Sequence, residues 1–192
     1  TEELYQFEYD EYGNIKKTKA GNTTLSENTY GVNDGLLSKT VLGNGVQISY
    51  LYDELGRMTR KAGGFSWAEW TYNKAGQVSG ILDGVYKRNY YYDGLGRLTG
   101  MTSTNELTNE RSLSKLIEYD VYGRLKKVIY EHDPINQMDY KWTYDKYNRV
   151  TEYETPAMEK VEITYDGLGR TATRTLNGGG TASLPETYVY LQ

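Results

Sequence analysis

One seven-residue pattern recurs along the chain and constrains its fold more than any other feature. The pattern is Tyr-Asp-x-x-Gly-Arg-apolar, and clear copies begin at Tyr52, Tyr92 and Tyr119. The first residue of each copy, here called the marker tyrosine, recurs every 20 to 27 residues. The full series is Tyr9, Tyr30 (degenerate), Tyr52, Tyr72, Tyr92, Tyr119, Tyr144 and Tyr165. A repeat of this period is typical of arrays of supersecondary units.

The residues that lead into each marker tyrosine predict a β-strand. The second residue before the marker is apolar in all seven well-formed copies, and the residue between is mostly polar or β-branched. This period-two alternation places one apolar face on each strand. We therefore expect a repeat core of Phe7, Tyr9, Tyr50, Tyr52, Trp70, Tyr72, Tyr90, Tyr92, Ile117, Tyr119, Trp142, Tyr144, Ile163 and Tyr165.

The residues after each marker tyrosine predict a tight turn. Aspartate favours the start of a turn because its carboxylate accepts a nearby backbone N–H. Glycine three positions later supplies a positive φ, and Asn148 replaces it in one copy. The expected turn residues are Asp10, Gly13, Asp53, Gly56, Asp93, Gly96, Asp120, Gly123, Asp145, Asp166 and Gly169.

Each unit is then a β-hairpin of about 20 residues, and an isolated hairpin is marginally stable in water. Neighbouring hairpins must pair side by side, as in other repeat arrays. The sequence predicts an all-β fold of consecutive antiparallel hairpins in a twisted, coiling strip. We expect one array over residues 1–192, with an incomplete unit from Tyr188 and surface loops at 103–111 and 131–139.

The composition restricts the classes of function. The chain has a formal net charge of -4, no cysteine and one histidine, His132. These values give no basic footprint for nucleic acid and no thiolate metal site. No apolar run is long enough to span a membrane. No nucleophile–base pair or metal cluster is evident, so we expect no enzyme activity, no catalytic residue, no metal site and no cofactor.

Two sets of side chains have competing interpretations. The repeated aspartates could bind calcium, but a turn-capping role is favoured by their position at the start of each turn. The repeated arginines could bind anionic glycans, but they are expected to stack on a neighbouring tyrosine or to pair with an aspartate. These arginines are Arg57, Arg97, Arg124, Arg149 and Arg170. Trp67 lies outside the repeat core positions and is the candidate glycan contact.

The copies at Tyr50 to Met58, Tyr90 to Leu98 and Tyr165 to Arg170 resemble the YD repeats, also called RHS repeats, of large secreted and cell-surface proteins. That family includes bacterial wall-associated and polymorphic toxins, toxin-complex shell subunits and teneurins. The resemblance implies a structural region of a larger secreted or surface-displayed bacterial protein. It further implies a β-sheet shell that encloses a C-terminal toxin domain.

The partners expected from this resemblance are further repeats of the parent chain and its C-terminal toxin domain. We also expect self-association of the fragment through unpaired edge strands. The alternative function is a glycan- or cell-surface-binding module that uses exposed aromatic side chains such as Trp67.

Overall fold

The computed structural model describes residues 4–131, 137–157, 159–177 and 186–188. All regular secondary structure in these ranges is β-strand. The chain divides into two compact units, residues 1–87 and 88–192. Within each unit every paired strand is antiparallel to the strand that follows it in the sequence. The predicted all-β class of consecutive antiparallel hairpins is confirmed.

The first unit contains eight strands that pair in sequence order. They are β1 (Tyr5–Tyr9), β2 (Ile15–Ala20), β3 (Thr23–Tyr30), β4 (Leu37–Leu42), β5 (Gln47–Tyr52), β6 (Met58–Gly63), β7 (Ser66–Tyr72) and β8 (Val78–Asp83). Strand β9 (Tyr86–Tyr92) crosses the boundary between the units. Each marker tyrosine of this unit is the last residue of the first strand in its hairpin.

The second unit continues the same arrangement. Its strands are β10 (Leu98–Asn105), β11 (Glu110–Tyr119), β12 (Leu125–Glu131), β13 (Gln137–Tyr144), β14 (Val150–Glu154), β15 (Lys160–Tyr165), β16 (Thr171–Asn177) and β17 (Glu186–Thr187). Consecutive strands from β10 to β17 pair with one another. The hairpin, and not a crossover connection, is therefore the building unit.

The turns after the marker tyrosines share one geometry. Between β5 and β6, the N–H of Asp53 donates to the carbonyl of Arg57 at 2.9 Å, and the N–H of Gly56 donates to the carbonyl of Asp53 at 3.0 Å. Gly56 has a φ of 75°, which a residue without Cβ adopts at little cost. Asn148 takes the equivalent position with a φ of 64°. The pairing register shifts between Leu51 and Tyr52, which marks a bulge beside the turn.

The two faces of the strands differ in exposure. Residues between the expected core positions are exposed, as shown by Leu51 at 56% and Tyr91 at 51%. Few apolar side chains are buried, and in the described part of the chain these are Val128, Ile129 and Val161. Most of the apolar burial therefore comes from half-buried side chains, and pairing between neighbouring hairpins adds to the stability of each one.

The prediction of a surface loop at 103–111 is wrong for the residues at both of its ends. Residues 103–105 extend β10 and residues 110–111 extend β11, so that only residues 106–109 form the turn. The N–H of Asn109 donates to the carbonyl of Asn105 at 2.7 Å and closes this turn. The extra serine and threonine residues pair across the strands, because β-branched and small polar side chains suit a half-exposed sheet. The insertion lengthens a hairpin.

Candidate functional site

Within each unit, the residues of the recurring pattern join one hairpin to the next. We call this set of contacts the inter-repeat ladder, and it consists of the marker tyrosine, the turn aspartate and the arginine four residues after that aspartate. Its first element is the tyrosine hydroxyl. Six marker tyrosines donate a hydrogen bond to the carbonyl of the first residue of the strand before them, with oxygen–oxygen distances of 2.6 to 2.9 Å: Tyr30 to Ile15, Tyr52 to Leu37, Tyr72 to Met58, Tyr119 to Leu98, Tyr144 to Leu125 and Tyr165 to Val150.

The strand register explains why a hydroxyl is needed at this point. Strand β12 begins at Leu125, but its pairing with β13 begins at Lys127, opposite Lys141. The carbonyl of Leu125 therefore lies beyond the paired segment and accepts the hydroxyl of Tyr144 at 2.7 Å. A carbonyl left without a partner in a part-buried position would reduce stability. The tyrosine hydroxyl extends the bonding between hairpins past the end of their backbone pairing.

The second element of the inter-repeat ladder is the turn aspartate. One carboxylate oxygen of Asp53 accepts the N–H groups of Leu55 and Arg57, each at 3.0 Å. The other accepts the Arg57 side chain, with Nε and Nη2 both at 2.7 Å. The same paired contacts recur at Asp93, Asp120, Asp145 and Asp166. The aspartate thus stabilises the turn and orients the arginine at the same time.

The third element is the arginine, which reaches the next hairpin. The Arg57 guanidinium carbon lies 4.5 Å from the centre of the Tyr72 ring. Equivalent distances are 4.4 Å from Arg97 to Tyr119, 4.6 Å from Arg124 to Tyr144 and 4.3 Å from Arg149 to Tyr165. Such stacking of a cation on an aromatic face is favourable.

Arg124 shows how far this reach extends. Its Nη1 donates to the carbonyl of Asp145 at 3.1 Å and to Oδ1 of Asn148 at 3.0 Å, and both acceptors belong to the next turn. The sequence predicts that these arginines stack on a tyrosine or pair with an aspartate. At Arg57, Arg97, Arg124 and Arg149 the structure has both contacts. Each of these side chains connects two turns.

These contacts shift the acidity of the groups involved. A hydrogen bond from the Arg57 side chain is the largest cause that lowers the pKa of Asp53. For Asp93 the backbone N–H of Arg97 is the largest cause of the lowered pKa, followed among the hydrogen bonds by the Arg97 side chain. Burial raises the pKa of Tyr52 and Tyr144, so both hydroxyls stay protonated and able to donate.

The other expected core residues lie on the same face of the strands as the marker tyrosines. Most of the residues two positions before a marker are half-buried: Tyr50, Trp70, Tyr90, Ile117, Trp142 and Ile163. Tyr92 is half-buried as well. Phe7 and Tyr9 differ, being 48% and 58% exposed. No described hairpin precedes β1, so no arginine of a preceding turn covers the Tyr9 ring.

The remaining candidates are the turn residues, Trp67, His132 and Tyr188. The expected turn residues, including Asp10, Gly13, Gly96, Gly123 and Gly169, form the hydrogen-bonded turns described above. Trp67 is half-buried in β7 and pairs with Ala62 of β6. His132 lies outside the described residues. Tyr188 is described, but the rest of the predicted incomplete unit is not.

The hydroxyl hydrogen bond is the functional feature that sequence reasoning missed. A signal for it was present, because the marker position holds tyrosine in all seven well-formed copies, whereas the position two residues earlier holds phenylalanine, tyrosine, tryptophan or isoleucine. A position that needs only an apolar ring accepts phenylalanine, and a position that needs a hydroxyl at the end of the ring does not.

The described ranges contain neither a candidate metal cluster nor a candidate membrane-spanning helix. In them, no group of three or more histidine, aspartate or glutamate side chains could hold a metal ion. The same ranges contain no helix with the length and apolarity needed to cross a membrane. The aspartates and arginines of the pattern are instead engaged with each other and with the backbone, which suits them to holding neighbouring hairpins together.

Comparison with known proteins gives matches at the level of structure. No protein-family model matches the chain, and no curated protein matches its sequence. A crystal structure of TcdB2-TccC3-Cdc42 matches 96% of the chain with a TM-score of 0.76 at 15% identity. A crystal structure of TcdB2-TccC3 matches 95% of it with a TM-score of 0.74 at 14% identity. The chain has the fold of a segment of these molecules.

The resemblance to the YD-repeat (RHS-repeat) family is thereby confirmed at the level of the fold. The chain spans 12% of the length of each of these solved chains. The feature that this chain shares with them is the arrangement of its strands.

We expect Tyr144→Phe to lower the free energy of unfolding by about 1 kcal/mol, because it leaves the Leu125 carbonyl without its donor. Tyr140→Phe is the matched control, since the Tyr140 hydroxyl has no hydrogen-bond partner in the described part of the chain, and it should change stability little. Urea denaturation followed by circular dichroism measures both. Equal effects of the two substitutions would contradict a role for the marker hydroxyl.

Acid should weaken the inter-repeat ladder. The lowered pKa of Asp53 and Asp93 means that folding favours their ionised forms. Their contribution is fully present above the unfolded pKa, about 3.9, and is lost as the pH falls through the folded pKa. We expect the free energy of unfolding to fall below roughly pH 4.

The double variant Asp53→Asn/Asp93→Asn should show a weaker dependence on pH over this range. Asparagine keeps the turn, because Asn73 occupies the same position and accepts the N–H groups of Ala75 and Gln77 at 2.9 and 3.0 Å. Urea denaturation at a series of pH values measures the slope. An unchanged slope in the double variant would show that other groups cause the acid sensitivity.

Proposed function

We propose that the chain is a non-enzymatic structural repeat region that forms part of the wall of a β-sheet shell in a larger secreted or surface-displayed bacterial protein. The observation that carries this proposal is the inter-repeat ladder. It uses the side chains of the pattern to bond neighbouring hairpins along the edge where their turns lie.

The chemistry of the pattern supports a structural role. A catalytic carboxylate needs access to substrate, whereas both oxygens of Asp53 accept hydrogen bonds from its own turn and from Arg57. The Arg57 guanidinium is likewise engaged by Asp53 and by the Tyr72 ring. Groups that satisfy one another in this way stabilise a wall and are poorly placed for turnover.

The fold likeness supports a parent protein that is longer than this chain. The solved chains with the same fold are about eight times its length, since it covers 12% of each. We propose further repeats of the same type as the direct partners of this region. A toxin domain C-terminal to the repeats is the proposed content of the shell.

Self-association of the isolated fragment remains a prediction with a structural basis. Strand β1 pairs with β2 and with no other described strand of its unit, so one of its edges is unpaired in the described structure. Unpaired edges of this kind favour strand addition by another chain.

Limited proteolysis of the full-length parent protein tests the enclosure. If the repeats form a shell around a C-terminal domain, that domain should resist protease in the native protein. The double variant Arg97→Ala/Arg124→Ala removes two ladder arginines and should make cleavage of the enclosed domain severalfold faster, because local opening of the wall becomes more frequent.

Arg60→Ala is the matched control for this experiment. Arg60 pairs with Glu69 at 3.4 Å with its side chain 48% exposed, and it belongs to no ladder contact described above. Its substitution should leave the protection unchanged, since exposed pairs contribute little. Rapid cleavage of the C-terminal domain in the unmodified protein would refute the enclosure.

A second candidate function is binding of glycans or of a cell surface. One observation favours it, a cleft of about 480 Å³ in the second unit lined by Lys115, Tyr130, Met138, Tyr140 and Trp142. The Tyr140 and Trp142 rings are stacked, with centres 6.2 Å apart and an angle of 16° between their planes. Parallel rings of this kind offer a flat apolar surface on which a sugar ring can lie.

Glycan-array binding tests this second function. Trp142→Ala should abolish binding at the cleft, because it removes half of the stacked surface. Trp67→Ala is the comparison, since Trp67 is half-buried on another strand and is the glycan contact predicted from the sequence. Loss of binding in Trp67→Ala alone would move the site to β7, and absence of any glycan binding would exclude this function.

A further inference from the structure

The first hairpin of the array lacks the ladder arginine. Asn14 occupies the position that Arg57, Arg97 and Arg124 hold in other copies. Its Nδ2 donates to Oδ2 of Asp10 at 3.0 Å, and its backbone N–H donates to Oδ1 of Asp10 at 2.8 Å. The turn is thus formed as in the other copies, but the short amide side chain carries no positive charge.

The groups that surround an arginine elsewhere are nevertheless present. In the second unit the Arg124 guanidinium carbon lies 5.0 Å from the centre of the Tyr122 ring and 4.6 Å from that of Tyr144. Its Nε donates to Asp120 at 2.6 Å. Arg149 has the same surroundings. Its guanidinium carbon lies 5.1 Å from the centre of the Tyr147 ring and 4.3 Å from that of Tyr165, and its Nε donates to Asp145 at 2.7 Å.

The counterparts in the first hairpin are Tyr12, Tyr30 and Asp10. Tyr12 has the same position in its turn as Tyr122 and Tyr147, namely two residues after the aspartate. The Tyr30 hydroxyl donates to the Ile15 carbonyl at 2.9 Å, as the Tyr144 hydroxyl does to Leu125 at 2.7 Å. The rings of Tyr30 and Tyr144 are therefore bonded to the preceding strand in the same way.

An open cleft lies between these groups. It has a volume of about 650 Å³, and its lining includes Asp10, Tyr12, Asn14 and Tyr30. Tyr12 is 81% exposed, so its ring is accessible from solvent. Lys16 also lines the cleft, but it forms no ion pair with Asp10 in the described structure. The first hairpin thus presents two aromatic rings and a carboxylate around a space that lacks the guanidinium that Arg124 and Arg149 supply in their copies.

We propose that this cleft binds the guanidinium group of an arginine side chain supplied from outside the repeat. The planar cation stacks between the Tyr12 and Tyr30 rings and donates to Asp10, which reproduces the arrangement of Arg124 between Tyr122 and Tyr144. Arginine is preferred over lysine because its planar fork both stacks on aromatic rings and donates to a carboxylate in a fixed geometry. The arginine comes from a second copy of this chain or from another polypeptide.

Titration with N-methylguanidinium and with arginine amide, followed by the NMR signals of the tyrosine rings, tests the site. We expect saturable shifts of the Tyr12 and Tyr30 signals, and no such shifts with urea, which is planar but uncharged. Absence of saturable shifts with both cations would overturn the proposal.

Three variants make the test specific. Asn14→Arg should fill the cleft with an internal guanidinium, abolish binding of both probes and raise stability. Tyr12→Ala should weaken binding about threefold to thirtyfold through loss of one cation–aromatic contact. Asp10→Asn should also weaken binding while keeping the turn, as Asn73 does in its copy. Binding that persists undiminished in Asn14→Arg would show that the probes bind elsewhere and would overturn the proposal.

Sedimentation of the protein alone distinguishes the two sources of the arginine. If a second copy supplies it, the native chain should associate in a concentration-dependent manner, and Asn14→Arg should reduce that association. If another polypeptide supplies it, native protein and variant should sediment alike while the native chain still binds arginine amide.

Discussion

The structure depends on how each hairpin satisfies the backbone of the hairpin before it. Backbone pairing between neighbouring hairpins stops two residues short of the strand end, as at Leu125, where the register begins only at Lys127. The Tyr144 hydroxyl bonds the carbonyl left over. This bond and the arginine stacked on the same ring add side-chain contacts to the backbone pairing between one repeat and the next.

The arginine gives this arrangement its continuity. Arg124 is held by its own turn through Asp120, and it reaches the ring of Tyr144 and the backbone of Asp145 in the following turn. Because each contact involves only adjacent hairpins, stability is distributed along each unit as a series of nearest-neighbour terms. The first hairpin shows the effect of losing one such arginine, since Asn14 preserves the turn but offers no cation to stack on the Tyr30 ring, which keeps its hydroxyl bond to Ile15.

Different parts of this arrangement were accessible to sequence reasoning to different degrees. The strand alternation and the turn at Asp53 and Gly56 follow from local rules, because a period of two residues and a positive φ are properties of a few consecutive residues. For Arg57, the sequence predicts only that the side chain stacks on a tyrosine or pairs with an aspartate. Its neighbours in the sequence do not show which side chains of the next hairpin come within reach. The inserted residues at 103–111 were misassigned because strand pairing, and not local polarity, decided their conformation.

The sequence by itself determined the hairpin, its turn and its repetition, because each depends on residues that are close together in the chain. Only the tertiary structure decided that the marker hydroxyl bonds a carbonyl of the preceding hairpin, that one arginine serves both an aspartate and a distant ring, and that Phe7 and Tyr9 are exposed. These outcomes depend on strand register and on which hairpin lies alongside, and no short stretch of sequence contains that information.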